Sequence, residues 1–390
     1  MRQIGGLSLE REANVLIIGG GVSGTGLAYN LAKLGVEGIV LLERNYLGSG
    51  ASGRCGGGAR QQWTTEENVK FMKKSIEILE RLPQELKFNI LFRQSGYLFL
   101  ARDEEQLNLL KENVRLHRKL GVETRFLDAE EAREIVPVLN TEGILGATYN
   151  PKDGVLFPFA LVWGYAKAAK RLGAKIYLHT EARGFKIENG RIKSVFTDKG
   201  EIKVKEWVVN AAGAYSKELA RKAGVELPNK PYRHEIMVTE PLKLFIKPMV
   251  VDLSNGLYMT QTSRGEVIGG IGDPEEESSY NLESGHKFLY LFSRAAIRVI
   301  PILKEIRLMR QWAGLYDTTP DKNPILGPVD EVENFLQING YSGHGLMMAP
   351  YATQLLAELI AYGKPSESIE RFSIRRFREG EIKAEKAVIG

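Results

Sequence analysis

The first regular pattern in the chain is a short apolar run, Val15 to Ile18, which ends in a cluster of glycines. Such a run is typical of a buried parallel strand. From Leu27 to Leu34 apolar residues recur at helical spacing, and a second apolar run, GIVLLER, predicts another strand. The N-terminal part of the chain is therefore predicted to form a βαβ unit.

The following segments predict a separate α+β layer. A helix is expected over residues 68–82, because apolar residues recur there at helical spacing and Pro83 then interrupts the pattern. Ser95 to Ala101 alternates like a strand, and Glu104 to Leu120 has the pattern of a polar helix.

The rest of the chain, from residue 128 onward, contains most of the predicted strands. Asp128, with Glu131 three residues later, predicts a capping box that opens a short helix. Residues 159–172 predict a helix, and AKIYLHTEA and EWVVN predict strands. Residues 232–271 contain EIMVTE, GLYMTQT and EVIGGI, which together predict an antiparallel sheet, with a helix around 287–298. The stretch NFLQINGYSGHGLMMAP predicts a strand, a glycine turn and the start of a helix.

Composition limits the kind of protein and the kind of chemistry. At 390 residues the chain exceeds the usual size of one hydrophobic core, so two domains are expected. No apolar run approaches the roughly 20 residues of a membrane span, and the N-terminus lacks a signal-peptide pattern. We therefore expect no transmembrane segment and a cytoplasmic location. The single cysteine, Cys55, excludes an intrachain disulfide framework and a multi-cysteine metal site, so redox chemistry needs an organic cofactor.

Charge changes this picture little. The net charge of +5 does not predict a nucleic-acid surface, because Lys and Arg are interspersed with Glu and Asp. We expect a solvated surface of mixed charge and no nucleic-acid partner.

The glycines after the first predicted strand form the motif Gly19-x-Gly21-x-x-Gly24, which opens the following helix. Glycines at this spacing allow a tight turn and let backbone N–H groups approach a pyrophosphate. Glu43 ends the next predicted strand, where an acid binds the ribose diol of a dinucleotide. The acid disfavours a ribose 2′-phosphate, and hence NADP, despite the neighbouring Arg44. The motif predicts a dinucleotide and leaves NAD and FAD open.

Two later stretches favour FAD. VVNAAGAYS places small residues, Asn210 to Gly213, at a strand end where a flat ligand can lie close, although an ordinary strand-to-helix turn is the alternative. NGYSGHGLMMAP places a second glycine turn, Gly343-His344-Gly345, at the start of the C-terminal helix. A helix N-terminus directed at the flavin would stabilise the anion formed on reduction, and NAD has no need of it.

Together these motifs carry a resemblance to a known family. From Asn14 to about Phe377 the chain resembles the FAD-dependent amine and amino-acid oxidoreductases of the D-amino-acid oxidase superfamily. Within it the chain is most similar to sarcosine oxidase β subunits and to the β subunits of archaeal dye-linked L-proline dehydrogenase complexes. The motifs are, in order, IIGGGVSGTGLAYNLAKLG with Glu43, GRCGGGARQQW, DGVLFPFAL, VVNAAGAYS, WAGLYDTTPDKNPILGP and GYSGHGLMMAP.

The resemblance implies an α/β plus α+β fold class with two interwoven domains. A Rossmann-type FAD-binding domain of discontinuous segments is expected at residues 12–84, 152–230 and 312–378. A substrate-binding domain with an antiparallel sheet is expected at residues 85–151 and 231–311, followed by a C-terminal tail at 379–390.

The resemblance also implies site residues. The residues expected at the FAD are Gly19, Gly21, Gly24, Glu43, Arg44, Ala211, Gly213, Gly343, Gly345 and Met347. Arg60 falls where sarcosine oxidases place an arginine that binds the substrate carboxylate, a task that suits its planar fork, although pairing with a structural acid is the alternative. Tyr258 aligns with a substrate-contacting tyrosine, or else packs in the core. His344 is expected near the flavin, with its backbone rather than its side chain in use.

Three departures from the monomeric sarcosine oxidases indicate a dehydrogenase. The cysteine that tethers their flavin would fall at Gly314, so the FAD is expected to be non-covalent. The lysine that activates oxygen would fall near Val267, and a second carboxylate-binding lysine would fall at Met347. Cys55 is expected to be a small buried thiol.

Several neighbouring residues are assigned supporting roles by the same resemblance. Trp312 and Tyr316 are expected to pack beside the isoalloxazine, and Asp321 is expected to hold their loop. His234, at the start of a strand of the substrate domain, is a further candidate for the site. The other histidines, His117, His179 and His286, are expected to be structural.

The sequence thus predicts an FAD-dependent dehydrogenase of a secondary amine or amino acid, with L-proline as the expected substrate. Hydride would pass from the carbon beside the amine to flavin N5. The chain is expected to act as the catalytic subunit of a dehydrogenase complex. Oxidation of sarcosine or of a D-amino acid is the alternative activity. A flavin-carrying subunit with a vestigial pocket is an alternative of another class, against which Arg60 and Tyr258 argue, and the second glycine turn disfavours an NAD-dependent dehydrogenase.

Overall fold

The computed structural model describes residues 9–380, 382, 384 and 385 of the chain. In this part the strands are β1 (Glu12–Ile18), β2 (Ile39–Leu42), β3 (Gly58–Ala59), β4 (Tyr97–Ala101), β5 (Arg125–Leu127), β6 (Gly146–Asn150), β7 (Gly154–Val155), β8 (Lys175–Tyr177), β9 (Ala182–Glu188), β10 (Arg191–Thr197), β11 (Gly200–Asn210), β12 (Lys230–Pro241), β13 (Met249–Asp252), β14 (Leu257–Gln261), β15 (Glu266–Gly270), β16 (Leu308–Thr318), β17 (Ile325–Pro328) and β18 (Phe335–Asn339). The helices are α1 (Val22–Lys33), α2 (Ala51–Arg54), α3 (Glu66–Leu86), α4 (Glu104–Lys119), α5 (Ala129–Ile135), α6 (Pro158–Arg171), α7 (Ser216–Arg221), α8 (His286–Val299), α9 (Gly345–Tyr362) and α10 (Arg376–Glu379).

The first sheet is built on the predicted βαβ unit. Its strands run in the order β17-β18-β11-β1-β2-β8, with β10 paired to β11 and β9 paired to β10. β1 lies parallel to both β2 and β11, and Val15 to Ile18 are buried. A central parallel strand is covered on both faces, which explains the continuous apolar runs of β1 and β2. The predicted βαβ unit is confirmed.

Three helices, α1, α6 and α9, pack on one face of this sheet, and α3 packs on α9 and α6, all in the largest apolar cluster. α1 and α9 pack closely because Gly26 has no side chain. A Cβ on Gly26 would lie 3.0 Å from the hydroxyl oxygen of Thr353 on α9. The close packing brings the N-termini of α1 and α9 to one edge of the sheet.

The second sheet has the strand order β16-β12-β15-β14-β13-β4-β6-β5 and is mainly antiparallel. Residues directly opposite each other in an antiparallel pair share a face of the sheet. Tyr258 lies opposite Gly270, and His234 lies opposite Gly314. The other face packs against α8 in an apolar cluster that includes Val267. The predicted antiparallel sheet and the helix that follows it are confirmed.

The structure corrects two local predictions. Pro83 does not end α3, which continues to Leu86 before Lys87 takes a left-handed conformation with φ of 51°. A proline removes one backbone hydrogen bond, and burial of Leu86 in the core compensates for that loss. AKIYLHTEA is not one strand, because β8 ends at Tyr177 and His179, with φ of 50°, turns the chain before β9.

The predicted capping box at the start of α5 is confirmed. The carboxylate of Asp128 accepts the backbone N–H of Glu131 at 2.8 Å, and the carboxylate of Glu131 accepts the backbone N–H of Asp128 at 2.8 Å. Two of the free donors at this helix start are therefore satisfied reciprocally.

The two sheets draw on different parts of the chain. Strands of the first sheet come from residues 12–42, 175–210 and 325–339, and strands of the second from 97–150 and 230–318. The exact domain boundaries stay a prediction. Within the described residues, no helix combines the length and the apolar character needed to cross a membrane.

Candidate active site

A long cavity lies at the carboxyl ends of the parallel strands of the first sheet. The residues that follow β1, β2 and β11 line it, together with the first turns of α1 and α9. Ligands of open α/β sheets bind at this edge. The predicted cofactor residues that line the cavity are Gly19, Gly21, Glu43, Arg44, Ala211, Gly213, Gly343 and Gly345.

The glycine turn after β1 leaves no room for side chains. Gly19 has φ of +120°, and a Cβ there would lie 2.2 Å from the carbonyl oxygen of Ala211. A Cβ on Gly24 would lie 1.9 Å from the carbonyl oxygen of Gly19. Gly24 does not line the cavity; it lets the first turn of α1 close against the glycine turn.

Glu43 is held as a fixed acceptor at the end of β2. Its Oε2 accepts the N–H of Gly20 at 2.8 Å, and its Oε1 accepts the N–H of Asn45 at 2.7 Å. The hydroxyl of Ser49 also donates to Oε1, at 3.3 Å. A carboxylate has about four acceptor sites, so Glu43 retains capacity for a further hydroxyl donor such as a ribose diol.

Arg44 closes one side of the cavity through a stack of rings. Its guanidinium carbon lies 3.8 Å from the ring centroid of Tyr215. Tyr215 in turn stacks on Tyr280, with ring centroids 5.1 Å apart. Arg44 is therefore engaged in a cation–π contact at the cavity wall, a use that the sequence did not predict.

The N-termini of two long helices open into the same cavity. α1, of 12 residues, begins after Gly21, and α9, of 18 residues, begins after His344. Neither has a side-chain cap or an acidic residue in its first turn. Each such N-terminus carries a partial positive charge. FAD fits this pair, because a pyrophosphate suits α1 and the flavin edge that gains charge on reduction suits α9.

A smaller pocket adjoins the cavity, between the second sheet and the loop that follows α2. Arg54, Cys55 and Gly343 are among the residues that line both spaces. All three predicted catalytic residues, Arg60, Tyr258 and His344, line the smaller pocket, and so does Met347. Met347 therefore borders the smaller pocket rather than the long cavity. The three predicted catalytic residues thus share one pocket beside the cavity.

Arg60 is held rigidly in the wall of this pocket. Its side chain is 0% exposed, and its guanidinium carbon lies 4.2 Å from the ring centroid of Trp63 and 5.5 Å from that of Phe99. Nη1 donates to the carbonyl of Gln62, and Nη2 lies 3.2 Å from Nε2 of His344. The ring contacts and the hydrogen bonds fix the plane of the guanidinium.

The imidazole of His344 has one tautomer that satisfies its contacts. Its Nδ1 lies 3.1 Å from the carbonyl oxygen of Ser342, which can only accept. Its Nε2 faces Arg60, which can only donate. Nδ1 therefore carries the proton, and the ring is neutral. Burial, and then the charge of Arg60, lower the pKa of His344 well below its ordinary value. The side chain orients Arg60 and is not free for acid–base work.

A second histidine, His234, is tied to the two tyrosines of the pocket. Its Nε2 lies 2.9 Å from the hydroxyl of Tyr258, and its ring stacks on Tyr316 with centroids 4.4 Å apart. Burial lowers the pKa of His234 to about 4 and raises the pKa values of Tyr258 and Tyr316. All three side chains are therefore neutral near pH 7. Trp312, on the same strand as Tyr316, donates its indole N–H to the carbonyl of Arg54 at 3.0 Å.

The charge of the pocket lining favours the binding of an anion. The described residues that line it include Arg54 and Arg60 and no aspartate or glutamate. Asp153 lies behind the pocket, where it accepts the N–H of Gln61 at 2.7 Å and a side-chain N–H of Gln62 at 3.1 Å. Burial raises the pKa of Asp153 to about 7. A positive pocket binds a carboxylate and lowers the pKa of a bound amine.

Burial of His234 predicts a measurable pH dependence of stability. The folded protein lowers the pKa of this imidazole from 6.5 to about 4, so the unfolded chain binds the proton more tightly. The stability that depends on a neutral His234 is fully present above pH 6.5 and is lost as the pH falls towards 4. At about 1.4 kcal/mol per pKa unit, His234→Phe should lose about 3 kcal/mol less unfolding free energy than the wild type between pH 7 and pH 4.

Urea unfolding of both proteins with excess FAD, at pH 7 and at pH 4, measures this difference. Phenylalanine keeps a ring against Tyr316 and removes the titrating group. Equal losses in the two proteins would contradict the burial of a neutral His234.

The sequence departs from the monomeric sarcosine oxidases at three positions, and two of these positions line the smaller pocket. Gly314 lies there on β16, where a Cβ would be 3.2 Å from Cβ of Arg54. Met347 lies there in the first turn of α9, and its carbonyl accepts the hydroxyl of Ser75 at 2.5 Å. Cys55, expected to be buried, is only partly buried and borders both spaces; loss of hydration raises the pKa of its thiol to about 11, so the thiol is protonated at neutral pH.

The third position, Val267, does not face the pocket. Val267 is fully buried in the apolar cluster beneath α8, on the opposite face of the sheet from Tyr258. Successive residues of a strand point to opposite faces, so the neighbour on the pocket face is Ile268, opposite Thr260. The expected correspondence near Val267 with a lysine over the flavin stays a prediction, and the residue on the pocket face of this strand is not a lysine either.

Sequence reasoning missed part of this site. Arg54 lines both spaces, and its Nη1 donates to the carbonyl of Ala313 at 2.7 Å. Tyr97 lines the pocket, and His234 contacts Tyr258 directly. The position of Arg54, within the GRCGGG motif, is a local signal that identifies it. The contact between His234 and Tyr258 depends on strand pairing across the sheet and has no local signal.

Comparisons with known proteins agree with this geometry. The chain matches the family model described as FAD dependent oxidoreductase (DAO) over residues 14–359, a range that includes every residue named above as lining the two spaces. It is 31% identical to sarcosine oxidase subunit beta of Rhodobacter capsulatus, over 98% of this chain and 92% of the relative. It is 29% identical to mitochondrial sarcosine dehydrogenase of Mus musculus, over 95% of this chain and 42% of the relative. The solved L-proline dehydrogenase from P. horikoshii superposes with a TM-score of 0.92 at 40% identity, over 96% of this chain and 100% of that chain.

Proposed function

The chain belongs to the DAO family of FAD-dependent oxidoreductases, and we propose that within this family it oxidises L-proline at a carbon beside the amine. The family fixes the cofactor as FAD and the chemistry as oxidation of an amine or amino acid. The observation that carries the choice of substrate is the lining of the smaller pocket. Arg60 offers a guanidinium for a carboxylate, and Met249, Val251 and Tyr258 offer an apolar wall for a small ring.

FAD, held non-covalently, supplies the hydride acceptor when bound. The chain supplies binding and orientation. Arg60, fixed by Trp63 and His344, binds the substrate carboxylate in two parallel hydrogen bonds. Tyr258, fixed by His234, contacts the ring on the other side of the pocket.

The proton of the substrate amine is controlled by the same lining. Because Arg54 and Arg60 are the charged groups of the described lining, a bound ammonium group is disfavoured and the amine is bound neutral. The free electron pair on nitrogen then assists loss of hydride from the neighbouring carbon. The product is the protonated cyclic imine, in which nitrogen keeps its proton, so no strong base is needed in the pocket.

The comparisons support L-proline and dehydrogenase chemistry. The L-proline dehydrogenase from P. horikoshii is 40% identical over its whole length, and the sarcosine oxidase subunit beta is 31% identical. The resemblance would place the tethering cysteine and the two lysines of the monomeric oxidases at Gly314, near Val267 and at Met347, and this chain has neither a cysteine nor a lysine there. We propose that the reduced flavin passes its electrons to an acceptor other than oxygen. We also propose that the chain is the catalytic subunit of a cytoplasmic complex, because the sarcosine oxidase relative is itself called a subunit.

An anaerobic visible titration tests the proposal. The purified chain with FAD is titrated separately with L-proline, sarcosine and D-proline while the flavin band near roughly 450 nm is followed. We expect L-proline alone to bleach the band, with slow recovery after air is admitted. Bleaching by sarcosine or D-proline in preference to L-proline would reassign the substrate. A flavin that none of the three bleaches would favour a carrier subunit.

A further inference from the structure

A glutamate near the C-terminus, Glu385, lies at the start of α3 and contacts residues more than 300 positions earlier in the sequence. Glu385 is buried, and its carboxylate accepts the backbone N–H of Thr64 at 3.1 Å and the hydroxyl of Thr64 at 2.6 Å. It also accepts the side-chain amide of Asn68 at 2.8 Å and the hydroxyl of Thr65 at 3.4 Å. Four donors around one buried carboxylate form a built site for its negative charge.

The start of α3 is a favourable place for that charge. α3 has 21 residues, begins after Thr65, and carries a partial positive charge at its N-terminus. The backbone N–H of Glu385 donates to the carbonyl of Asp321 at 3.2 Å. Asp321 is itself fixed by a buried bidentate ion pair with Arg376, at 2.7 and 3.1 Å. Glu385 is therefore anchored through its backbone as well as its side chain.

The loop that precedes α3 carries Arg60. Separate parts of the chain hold the loop residues that follow Arg60. The backbone of Gln61 donates to Asp153, and the carbonyl of Trp63 lies 2.8 Å from Nε2 of the buried His117. Thr64 is held by Glu385, as described above. The last anchor of the loop is thus supplied by the C-terminal segment.

Glu385 is also electrostatically coupled to Arg60. Burial lowers the pKa of Arg60, and Tyr97, Glu385 and Asp153 act in the opposite direction. A buried cation needs such compensation to remain in an apolar wall. Glu385 is therefore related to Arg60 in two ways. It anchors the loop that carries Arg60, and its negative charge stabilises the buried guanidinium.

We propose that Glu385 is a positioning residue, which holds the loop of residues 60–64 against α3 so that Arg60 stays aligned with the substrate carboxylate. The inference rests on the proposed carboxylate-binding role of Arg60. Glu385 then supports the substrate site through the loop, and the affinity for the substrate depends on Glu385 more than the rate of the chemical step does.

The variants Glu385→Ala and Glu385→Gln test the proposal, with Glu379→Gln as the matched control. Glutamine keeps the size of the side chain and removes its charge, and Glu379 is an exposed carboxylate of the same terminal segment. Hydrogen exchange is measured on peptides covering residues 60–68 and, for reference, 104–119. In Glu385→Ala we expect faster exchange in the first peptides alone, by roughly tenfold, because the N–H of Thr64 loses its acceptor. Glu385→Gln keeps one amide oxygen as an acceptor, so its exchange should lie between those of the wild type and Glu385→Ala.

Rapid anaerobic mixing with L-proline supplies the second readout. We expect the Kd for L-proline to rise about tenfold in Glu385→Ala, while the limiting rate of flavin bleaching at saturation stays within about twofold, because a loosened Arg60 weakens binding of the carboxylate. The control Glu379→Gln should match the wild type in both readouts.

Unchanged exchange over residues 60–68 would overturn the proposal, and so would faster exchange with an unchanged Kd. A fall in the limiting rate together with loss of FAD would indicate general loosening and would also overturn it. If L-proline fails to bleach the wild type, the proposed function fails separately. In that case the Kd of L-tetrahydro-2-furoate, measured from the shift of the flavin spectrum, replaces the Kd of L-proline.

Discussion

Replacing Arg60 with methionine is expected to lower the second-order rate constant for flavin bleaching by L-proline at least about thirtyfold, with FAD content unchanged. Truncating one partner of a buried charge pair costs about 2–5 kcal/mol, and each 1.4 kcal/mol corresponds to about tenfold. Methionine fills the space between Trp63 and Phe99 and leaves the substrate carboxylate without a partner. Stopped-flow bleaching under nitrogen measures the rate constant, and the ratio of visible to ultraviolet absorbance measures FAD content.

Arg60→Lys is the matched control. Lysine keeps the positive charge and loses the planar fork, so its rate constant should lie between those of the wild type and Arg60→Met. The competing interpretation of Arg60 is a structural partner of Asp153. An unchanged rate constant in Arg60→Met, combined with a lower free energy of unfolding, would favour that interpretation and remove the main support for L-proline.

The parts of the site that the sequence predicts are those made by contiguous residues. Gly19, Gly21 and Gly24 form a turn through their own backbone, and Glu43 reaches that turn from the next strand of the same βαβ unit. Such contacts follow from residue type and spacing, because backbone conformation and one short connection determine them. The same reasoning places Gly343 and Gly345 at the start of α9.

The parts that the sequence does not predict depend on strand register and on long-range packing. Val267 and Ile268 differ by one residue, yet one packs under α8 and the other lies on the face of the pocket. The contact of His234 with Tyr258 joins strands that are not neighbours in the sheet. Glu385 reaches Thr64 across a sequence separation of 321 residues. Local patterns contain no information on these distances.

Gly24→Ala is expected to abolish tight FAD binding, although alanine is a better helix former than glycine. The new Cβ would lie 1.9 Å from the carbonyl oxygen of Gly19. A backbone oxygen cannot move aside without displacing the turn, and Gly19 is already confined by the carbonyl of Ala211, 2.2 Å from its own ideal Cβ position. Misplacement of a catalytic group by roughly 1 Å can lower the rate about a hundredfold. We expect a displaced turn to cost FAD binding as much, so that the Kd for FAD rises by at least that factor. Fluorescence titration of the apoprotein with FAD measures it.

Gly184→Ala provides the control for the general effect of adding a methyl group. Gly184 lies in β9, and a Cβ there would meet its nearest neighbour, the ring of Phe196, at 4.0 Å, which is ordinary contact. This variant should retain wild-type FAD affinity. If Gly24→Ala also retained it, the glycine turn would not be the pyrophosphate site. The uncapped N-terminus of α1 would then have to bind the phosphates without the close packing of α1 onto the glycine turn. Since Gly24 does not line the cavity, its new methyl group would not meet the cofactor, and a loss of affinity would show that packing behind the turn positions the cofactor.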